Sequence, residues 1–539
     1  MRGNAIGDMG QPPPSNARAA GALLLAIGIA TVVGYAFALS ESTYPYWADG
    51  PAYIEAARDL AVGHLPRLSS HYSAASPLVP FRLWPPGFPL LIAAGTGLRV
   101  DAALCALWLT RTAVALMPLA VYWAFHRAIG RPLAIAGGLL AFSAIGMLPF
   151  AHQVSSDPPF ALVVIVAAGF LLRGFASDRC GNFVLAGLLT AVALSLRNSG
   201  VALILAEFVT FACLWLSDER PRRRLARAFA VFAAGLGFGI LPLLAWNLII
   251  LQTLAPYRMD PSTLSVLDNL RHLINALQFD LFPLVRLGGR SAPFLALLLA
   301  GLTLASIATC VMRRRQAAAR AADEAPGAQH RLRDIFVVLA ASYSLISAGM
   351  LVAARSRYEW GEFIAERHVA QFDWLLVLAA CCVVVSCLPR ARTVLLVLSG
   401  AVLALVALRG WHHVQTIRAV DLAYNEGRLQ PRMTARIFAT SPSAADFIAG
   451  VPPGCEIVSN VHEAIRVAFN RPARIIWGQT FAMRDFDQWP RPHVLVFVSS
   501  SANEIGALAP PNAAYHTLRD AAFVAFESES CRDLRSDKG

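Results

Sequence analysis

Asp49 stands in the stretch Trp47-Ala48-Asp49-Gly50-Pro51-Ala52-Tyr53-Ile54-Glu55-Ala56-Ala57-Arg58-Asp59-Leu60. A carboxylate there has two compatible uses: it caps the first turn of a helix, or it takes a proton as a catalytic base. A second carboxylate, Asp157, lies in His152-Gln153-Val154-Ser155-Ser156-Asp157-Pro158-Pro159-Phe160, where a turn or cap is the plain reading. Arg197 follows in Ser195-Leu196-Arg197-Asn198-Ser199-Gly200, where the plain reading is a snorkelling anchor. A last group runs from Arg357 to His368 and offers Arg367 as a salt-bridge partner for Glu362 or Glu366. Ionisable groups at membrane depth are costly unless they line a wet site, so their coincidence on one face favours a functional reading.

A membrane must position them. The chain has 539 residues, 56% hydrophobic and only 15% charged, with a mean hydropathy of +0.53. Apolar runs of bilayer length recur, which excludes a single soluble core, a disulfide-framework fold and disorder. The net charge is +12 and Lys538 is the only lysine. Because the arginines sit mostly in short clusters between apolar runs, they set orientation in a lipid bilayer, and nucleic acid is excluded as a partner.

The first run, residues 19–39, is too long for the apolar part of a cleaved signal and is expected to be a retained anchor. Further runs fall at 103–125, 133–151, 160–172, 182–196, 201–216, 228–250, 291–312, 335–353, 368–388 and 393–410, eleven candidates in all with two of them short. Alternate loops differ in arginine density, with 19 arginines in 71 residues on one side against 12 in 131 on the other. By the positive-inside rule the dense side is cytoplasmic, anchored by the clusters Arg220 to Arg227 and Arg313 to Arg315. The expected organisation is a cytoplasmic tail (1–18), a transmembrane domain (19–410) with a large first outer loop (40–102), and a soluble module (411–539) on the outer face of an inner, or plasma, membrane. The fold class is thus an α-helical polytopic membrane protein with a small C-terminal α/β domain.

Within the first loop, Tyr53, Ala56, Ala57 and Leu60 share one helical face, whereas Glu55, Arg58 and Asp59 lie on another. This is the pattern of an amphipathic helix lying along the membrane surface. The loop ends in Phe81-Arg82-Leu83-Trp84-Pro85-Pro86-Gly87-Phe88-Pro89, whose prolines give a stiff start to a short apolar helix. If residues 88–98 crossed the bilayer, every later basic loop would change sides, so this piece is expected to be juxtamembrane or re-entrant. In the C-terminal module, strand-like pieces at 456–459, 474–477 and 493–498 alternate with a helical pattern at 461–469. Of nine cysteines only Cys455 and Cys531 fall in that module, where an oxidising compartment favours a disulfide between them. There is no Walker A motif and no strand-linked G-x-G-x-x-G fingerprint.

The pattern resembles the multi-spanning GT-C glycosyltransferases that use polyprenyl-phosphate sugars, which include the protein O-mannosyltransferases, the lipid A aminoarabinose transferases and the bacterial RgtA/B/C/D-like group. Its most specific part is Asp49, Tyr53 and the helix from Ala56 to Gly63, paired with Pro85-Pro86-Gly87-Phe88-Pro89. Ser156-Asp157-Pro158 looks like the family's second acidic loop, Arg197 like its arginine before a small residue and a glycine, and Arg367-His368 like its late Arg-Tyr pair. Two departures stand out: Gly50 replaces the second acid that many relatives carry after the first, and His368 replaces Tyr.

The resemblance implies transfer of a sugar from a polyprenyl-phosphate-linked donor to a cell-envelope acceptor. The departing phosphate is stable as an anion, so one general base suffices, unlike glycoside hydrolysis with its acid and base carboxyls. Asp49 is the expected base, with Asp157 as the second catalytic carboxylate, and a single displacement inverts the anomeric centre. Guanidinium groups would hold the phosphate in bidentate fashion, Arg197 and Arg367 first and Arg290 and Arg357 in reserve. Tyr53, Glu55 and His368 complete the substrate-binding candidates. No cofactor is implied; a divalent cation between Asp49 and Asp157 is left open, without tight ligand spacing to support it. The rival reading is a transporter or flippase of lipid-linked sugars, but the chain shows no internal repeat and its singled-out charges lie at one face.

Overall fold

A computed structural model describes residues 15–46, 49–68, 79–80, 84–217, 221–252, 261–283, 328–358, 363–388, 391–429, 433–439, 441–475, 492–498, 515–520 and 523–536. Six helices among these are long and apolar enough to cross a membrane. They are α1 (Ser15–Leu39), α4 (Ala102–Ile129), α6 (Asp157–Ser177), α9 (Arg222–Ala245), α11 (Ala328–Arg357) and α13 (Ala391–Asn425). Shorter apolar helices are α3 (Gly87–Thr96), α5 (Arg131–Phe142), α7 (Cys180–Leu196), α8 (Gly200–Leu216) and α12 (Asp373–Cys387). Two amphipathic helices, α2 (Gly50–Ala61) and α10 (Val266–Leu281), are also described in the membrane domain, with a single helical turn at Glu366–Val369. The expected span at 291–312 lies outside the described residues, as does Arg290.

Ten residues of helix rise only about 15 Å, half the hydrocarbon thickness, so α3 is too short to cross. Elsewhere helices outrun or fall short of their apolar runs for local reasons. The run at 160–172 lengthens to α6 because Pro158 and Pro159 are tolerated in its first turn. At its other end Arg173 stays helical, with its guanidinium stacked 3.8 Å over the Trp123 ring. The run at 133–151 shortens to α5, which stops at Ser143 and gives way to a tight 3-10 turn, Leu148–Ala151. Helix α13 continues through Asn425, so the boundary expected at residue 411 lies inside a helix.

The bundle interior holds a large contiguous apolar core, with a smaller separate cluster where α1 meets α4, the end of α5 and the 3-10 turn. Helix α4 packs against α5 and α6, α6 against α7, α7 against α9, and α8 against α11. A cluster of Phe175, Phe183, Phe211, Phe229 and Phe232, with ring centroids 5.2 to 6.3 Å apart in edge-on and tilted pairs, ties α6 to α9.

The C-terminal domain is built on a mixed five-stranded sheet of order β4-β3-β5-β7-β6. Its strands are β3 (Glu456–Ser459), β4 (Ala473–Ile475), β5 (His493–Val498), β6 (Tyr515–Asp520) and β7 (Phe523–Ser528), while β1 (Arg67–Leu68) and β2 (Val79–Pro80) pair in the first loop. β3 runs parallel to β4 and β5; β7 runs antiparallel to β5 and β6. All six residues of the central β5 are buried, as expected of a strand covered on both faces. Helices α14 (Pro442–Gly450), α15 (His462–Phe469) and α16 (Glu529–Ser536) flank the sheet. Cys455 and Cys531 are disulfide-bonded with Cα atoms 5.7 Å apart, stapling the start of β3 to α16.

Candidate functional site

Residues from four separate parts of the chain converge around the first turn of α2. Asp49 is at the N-cap, yet its side chain makes no capping hydrogen bond. It faces Arg367, whose Nη1 is 3.8 Å from Asp49 Oδ2; both side chains are about a quarter exposed. That separation is the outer limit of an ion pair. Gly50 packs on the loop ahead of α6, where a β-carbon would lie 3.1 Å from Val154 Cβ. A second acidic side chain at position 50 would therefore meet Val154.

One turn on, Tyr53 is fully buried. Its ring sits edge-on to Trp84 and Phe88, centroids 5.4 and 5.1 Å away, so the two sequence motifs of the first loop are packing partners. Its hydroxyl is 3.0 Å from Ser156 Oγ. Burial, reinforced by the nearby Asp49 carboxylate, pushes the Tyr53 phenol above its ordinary value and keeps it neutral. The glycine between the prolines and Phe88 is required by close approach, since a β-carbon at Gly87 would lie 2.4 Å from the Ser195 carbonyl oxygen. That contact sets the head of α3 against the end of α7, two residues before Arg197.

Arg197 caps α7 in extended conformation. Its Nη1 donates to Asp157 Oδ2 at 2.8 Å and to Ser156 Oγ at 3.2 Å. Burial works against the Arg197 charge, but Asp157, with smaller help from Tyr53 and Asp49, outweighs it and holds the group above its ordinary value; Arg367 opposes. Asp49, Tyr53, Asp157, Arg197 and Arg367 thus share one electrostatic field.

Asp157 opens α6, where the helix dipole favours a negative group. It is fully buried. One oxygen accepts from Arg197 and from Ser155 Oγ at 2.9 Å, and the other from Gln371 Nε2. The loop before it is held from α4, where Thr110 Oγ1 donates to the Ser155 carbonyl at 3.1 Å and Arg111 Nε to that of Ala151 at 2.9 Å. A carboxylate with both oxygens occupied by donors is a fixed charge that orients Arg197. This also bears on the cation left open between Asp49 and Asp157, because the second ligand is already paired. Among the described residues no group of three or more His, Cys, Asp or Glu is placed to hold a metal ion.

Three sequence candidates are placed otherwise. Glu55 is gripped by Arg466 of the C-terminal domain through both Nε and Nη2. His368 is buried, and its Nδ1 accepts the Ala365 N–H at 3.0 Å, closing its own turn. Arg357 is exposed at the end of α11, its guanidinium 5.5 Å from the Tyr358 ring centroid.

Sequence reasoning missed Gln371 and the buried charge cluster behind it. Arg409 of α13 donates to Asp373 Oδ2 at 2.5 Å, Asp280 Oδ2 at 2.9 Å, and the carbonyls of Asp280 and Leu140, each at 2.7 Å. All three charged side chains have no exposure. Asp280 also accepts the Gly146 N–H at 3.1 Å, and Asp373 the Trp374 N–H at 2.7 Å. Through Asp373 the cluster fixes the end of the segment 363–373 that carries Arg367 and Gln371. Its signal in the sequence was available, as charges set within or against apolar runs.

The family model for dolichyl-phosphate-mannose-protein mannosyltransferase matches residues 84–246. This stretch includes the proline-glycine motif, Asp157 and Arg197. Among solved structures, the chain is similar to ArnT from Cupriavidus metallidurans bound to undecaprenyl phosphate, with 15% identity, a TM-score of 0.51, and coverage of 94% of this chain and 97% of that one. It is also similar to the Archaeoglobus fulgidus oligosaccharyltransferase in complex with Zn and sulfate, at 13% identity and a TM-score of 0.50, covering 94% and 73% of the two chains. Curated protein sequences contain no significant match. At these identities the structural likeness is one of fold, and the family match covers about a third of the chain. The chain is a polytopic helical membrane protein with the GT-C fold of these enzymes.

Proposed function

We propose that the chain transfers a sugar from a polyprenyl-phosphate donor to a cell-envelope acceptor on the outer face of the inner membrane, with inversion and with Asp49 as general base. One observation carries the assignment: of the two carboxylates at the site, Asp157 has both oxygens taken by Arg197, Ser155 and Gln371, whereas Asp49 sits at a helix start without capping it. A base must meet the acceptor hydroxyl, and Asp49 retains partial exposure where Asp157 has almost none. Asp157 and Tyr53 then position, rather than react.

The donor class is supported by the ArnT structure, which binds undecaprenyl phosphate. For the phosphate, Arg367 is favoured over Arg197. The Arg197 guanidinium is held by Asp157 at 2.8 Å, while the Arg367 side chain, about a quarter exposed, is the more accessible of the two and lies beside the proposed base. A guanidinium keeps its charge at any relevant pH and matches two phosphate oxygens at once.

Lipid-linked sugars extracted from cells lacking this chain provide the test. One polyprenyl-phosphate sugar should accumulate, naming the donor; an unchanged lipid-linked pool would contradict the reading. Orientation is tested separately by reporter fusions. Fusions after Arg224 and Arg315 should read cytoplasmic, and fusions after Ser156 and at the carboxyl terminus should read outside. A cytoplasmic C-terminal domain would reverse the assignment of the site's face.

A further inference from the structure

The polar face of α2, expected to lie against water and headgroups, is covered by the C-terminal domain. Arg466 of α15, fully buried, grips both carboxylate oxygens of Glu55. In return Arg58 Nη1 donates to the carbonyls of Arg466 and Val467, each at 3.3 Å, and to Asn470 Oδ1 at 3.1 Å. Asn470, at φ 50°, ends α15, so Arg58 sets a cation against the negative end of that helix. Glu55 and Arg58 are three residues apart and share one face of α2.

The same domain holds the chain on the other side of Asp49. Tyr44 N–H donates to the Met433 carbonyl at 2.9 Å, the Tyr44 ring packs on the domain's core, and Arg436 pairs with Glu41 at 3.0 Å. Asp49 therefore lies between two anchor points, and both belong to a domain more than 380 residues away in sequence. On the bundle side, Arg58 also pairs with Asp101 ahead of α4, at 3.6 Å.

We propose that the C-terminal domain is a clamp that positions the base, with Arg466 as the positioning residue and Glu55 as its handle on α2. The proposal rests on Asp49 as base for its catalytic part, but the clamp is readable by itself.

The full-length protein in lipid nanodiscs would be compared with Arg466→Met, Arg466→Lys and Glu55→Gln. Amide hydrogen exchange over residues 50–61 should quicken about 10-fold or more in Arg466→Met and Glu55→Gln, and less in Arg466→Lys, which keeps the charge but loses the fork. With polyprenyl-phosphate-linked hexoses and pentoses as donors and a crude envelope fraction supplying the acceptor hydroxyl, kcat for release of polyprenyl phosphate should fall about 10-fold at nearly unchanged donor KM, since a small misplacement of a catalytic group costs turnover. Arg466→Lys should recover part of it. Unchanged exchange in both neutral variants overturns the clamp. Quickened exchange with unaltered kcat overturns the positioning role. If the wild-type protein releases no polyprenyl phosphate, the reading of Asp49 as base fails while the exchange data still decide the clamp.

Discussion

Asp49→Asn should lower sugar transfer by about 10² or more while leaving thermal stability close to wild type. Asparagine keeps the size of the side chain and removes only its capacity to take a proton, and general-base catalysis contributes on this scale. Stability is expected to hold because the Asp49 side chain makes no capping hydrogen bond whose loss would matter. Asp157→Asn should mainly cost stability, with a milder loss of transfer. It removes the charge facing the Arg197 guanidinium across 2.8 Å in a buried setting, and breaking such a pair costs about 3–5 kcal/mol. Transfer rate and melting temperature, measured together for both variants, separate a base from a positioning carboxylate. Equal behaviour of the two, or an Asp49→Asn protein that transfers sugar at the wild-type rate, would remove the assignment.

Arg409→Met should be the most destabilising single change in the membrane domain. Methionine fills much of the volume, but Asp280 and Asp373 are left facing each other with no exposure and no cation. The expected loss is about 3–5 kcal/mol, read as a fall in melting temperature in a mild detergent. Because Asp280 takes the Gly146 N–H and Asp373 opens α12, loss of the cluster should also release segment 363–373, and donor binding through Arg367 should weaken with it. Adding Asp280→Asn and Asp373→Asn to Arg409→Met removes the uncompensated charge and should restore part of the stability. A triple variant no more stable than Arg409→Met would show that buried charge is not the cause.

The parts of the site that the sequence made legible are those whose residue types have local consequences. The prolines at 85, 86 and 89 stiffen a helix start, and the 53-56-57 stripe forms a buried face with Leu60 half-buried at its end, so both elements stand where they were expected. Asp49 and Arg367 were singled out separately, one as an acid at a helix start and the other as a basic residue at a membrane mouth; that they face each other is a product of tertiary packing. Glu55 shows the opposite case. It was expected among the substrate-binding candidates, and its partner in the structure is an arginine 411 residues away that no spacing rule reaches. The same limit hid Gln371, an ordinary amide until Asp157 Oδ1 is placed beside it. Arg409 and Asp373 were legible as charges in apolar runs, and Glu207, buried against Thr190 Oγ1 at 2.9 and 3.0 Å, belongs with them. Only their partners were not. Helix lengths likewise depended on contacts, as with Arg173 and the Trp123 ring, which pattern alone does not show.

The central claim is that this site breaks the bond between a sugar and polyprenyl phosphate. The direct measurement incubates the purified wild-type protein, in detergent and then in nanodiscs, with polyprenyl-phosphate-linked hexoses and pentoses and a crude envelope-acceptor fraction, and follows free polyprenyl phosphate and the anomeric configuration of the transferred sugar. The account expects catalytic release of polyprenyl phosphate from one donor, with the configuration at the anomeric carbon inverted in the product. Donor that is bound, or moved between leaflets, but recovered intact would contradict it.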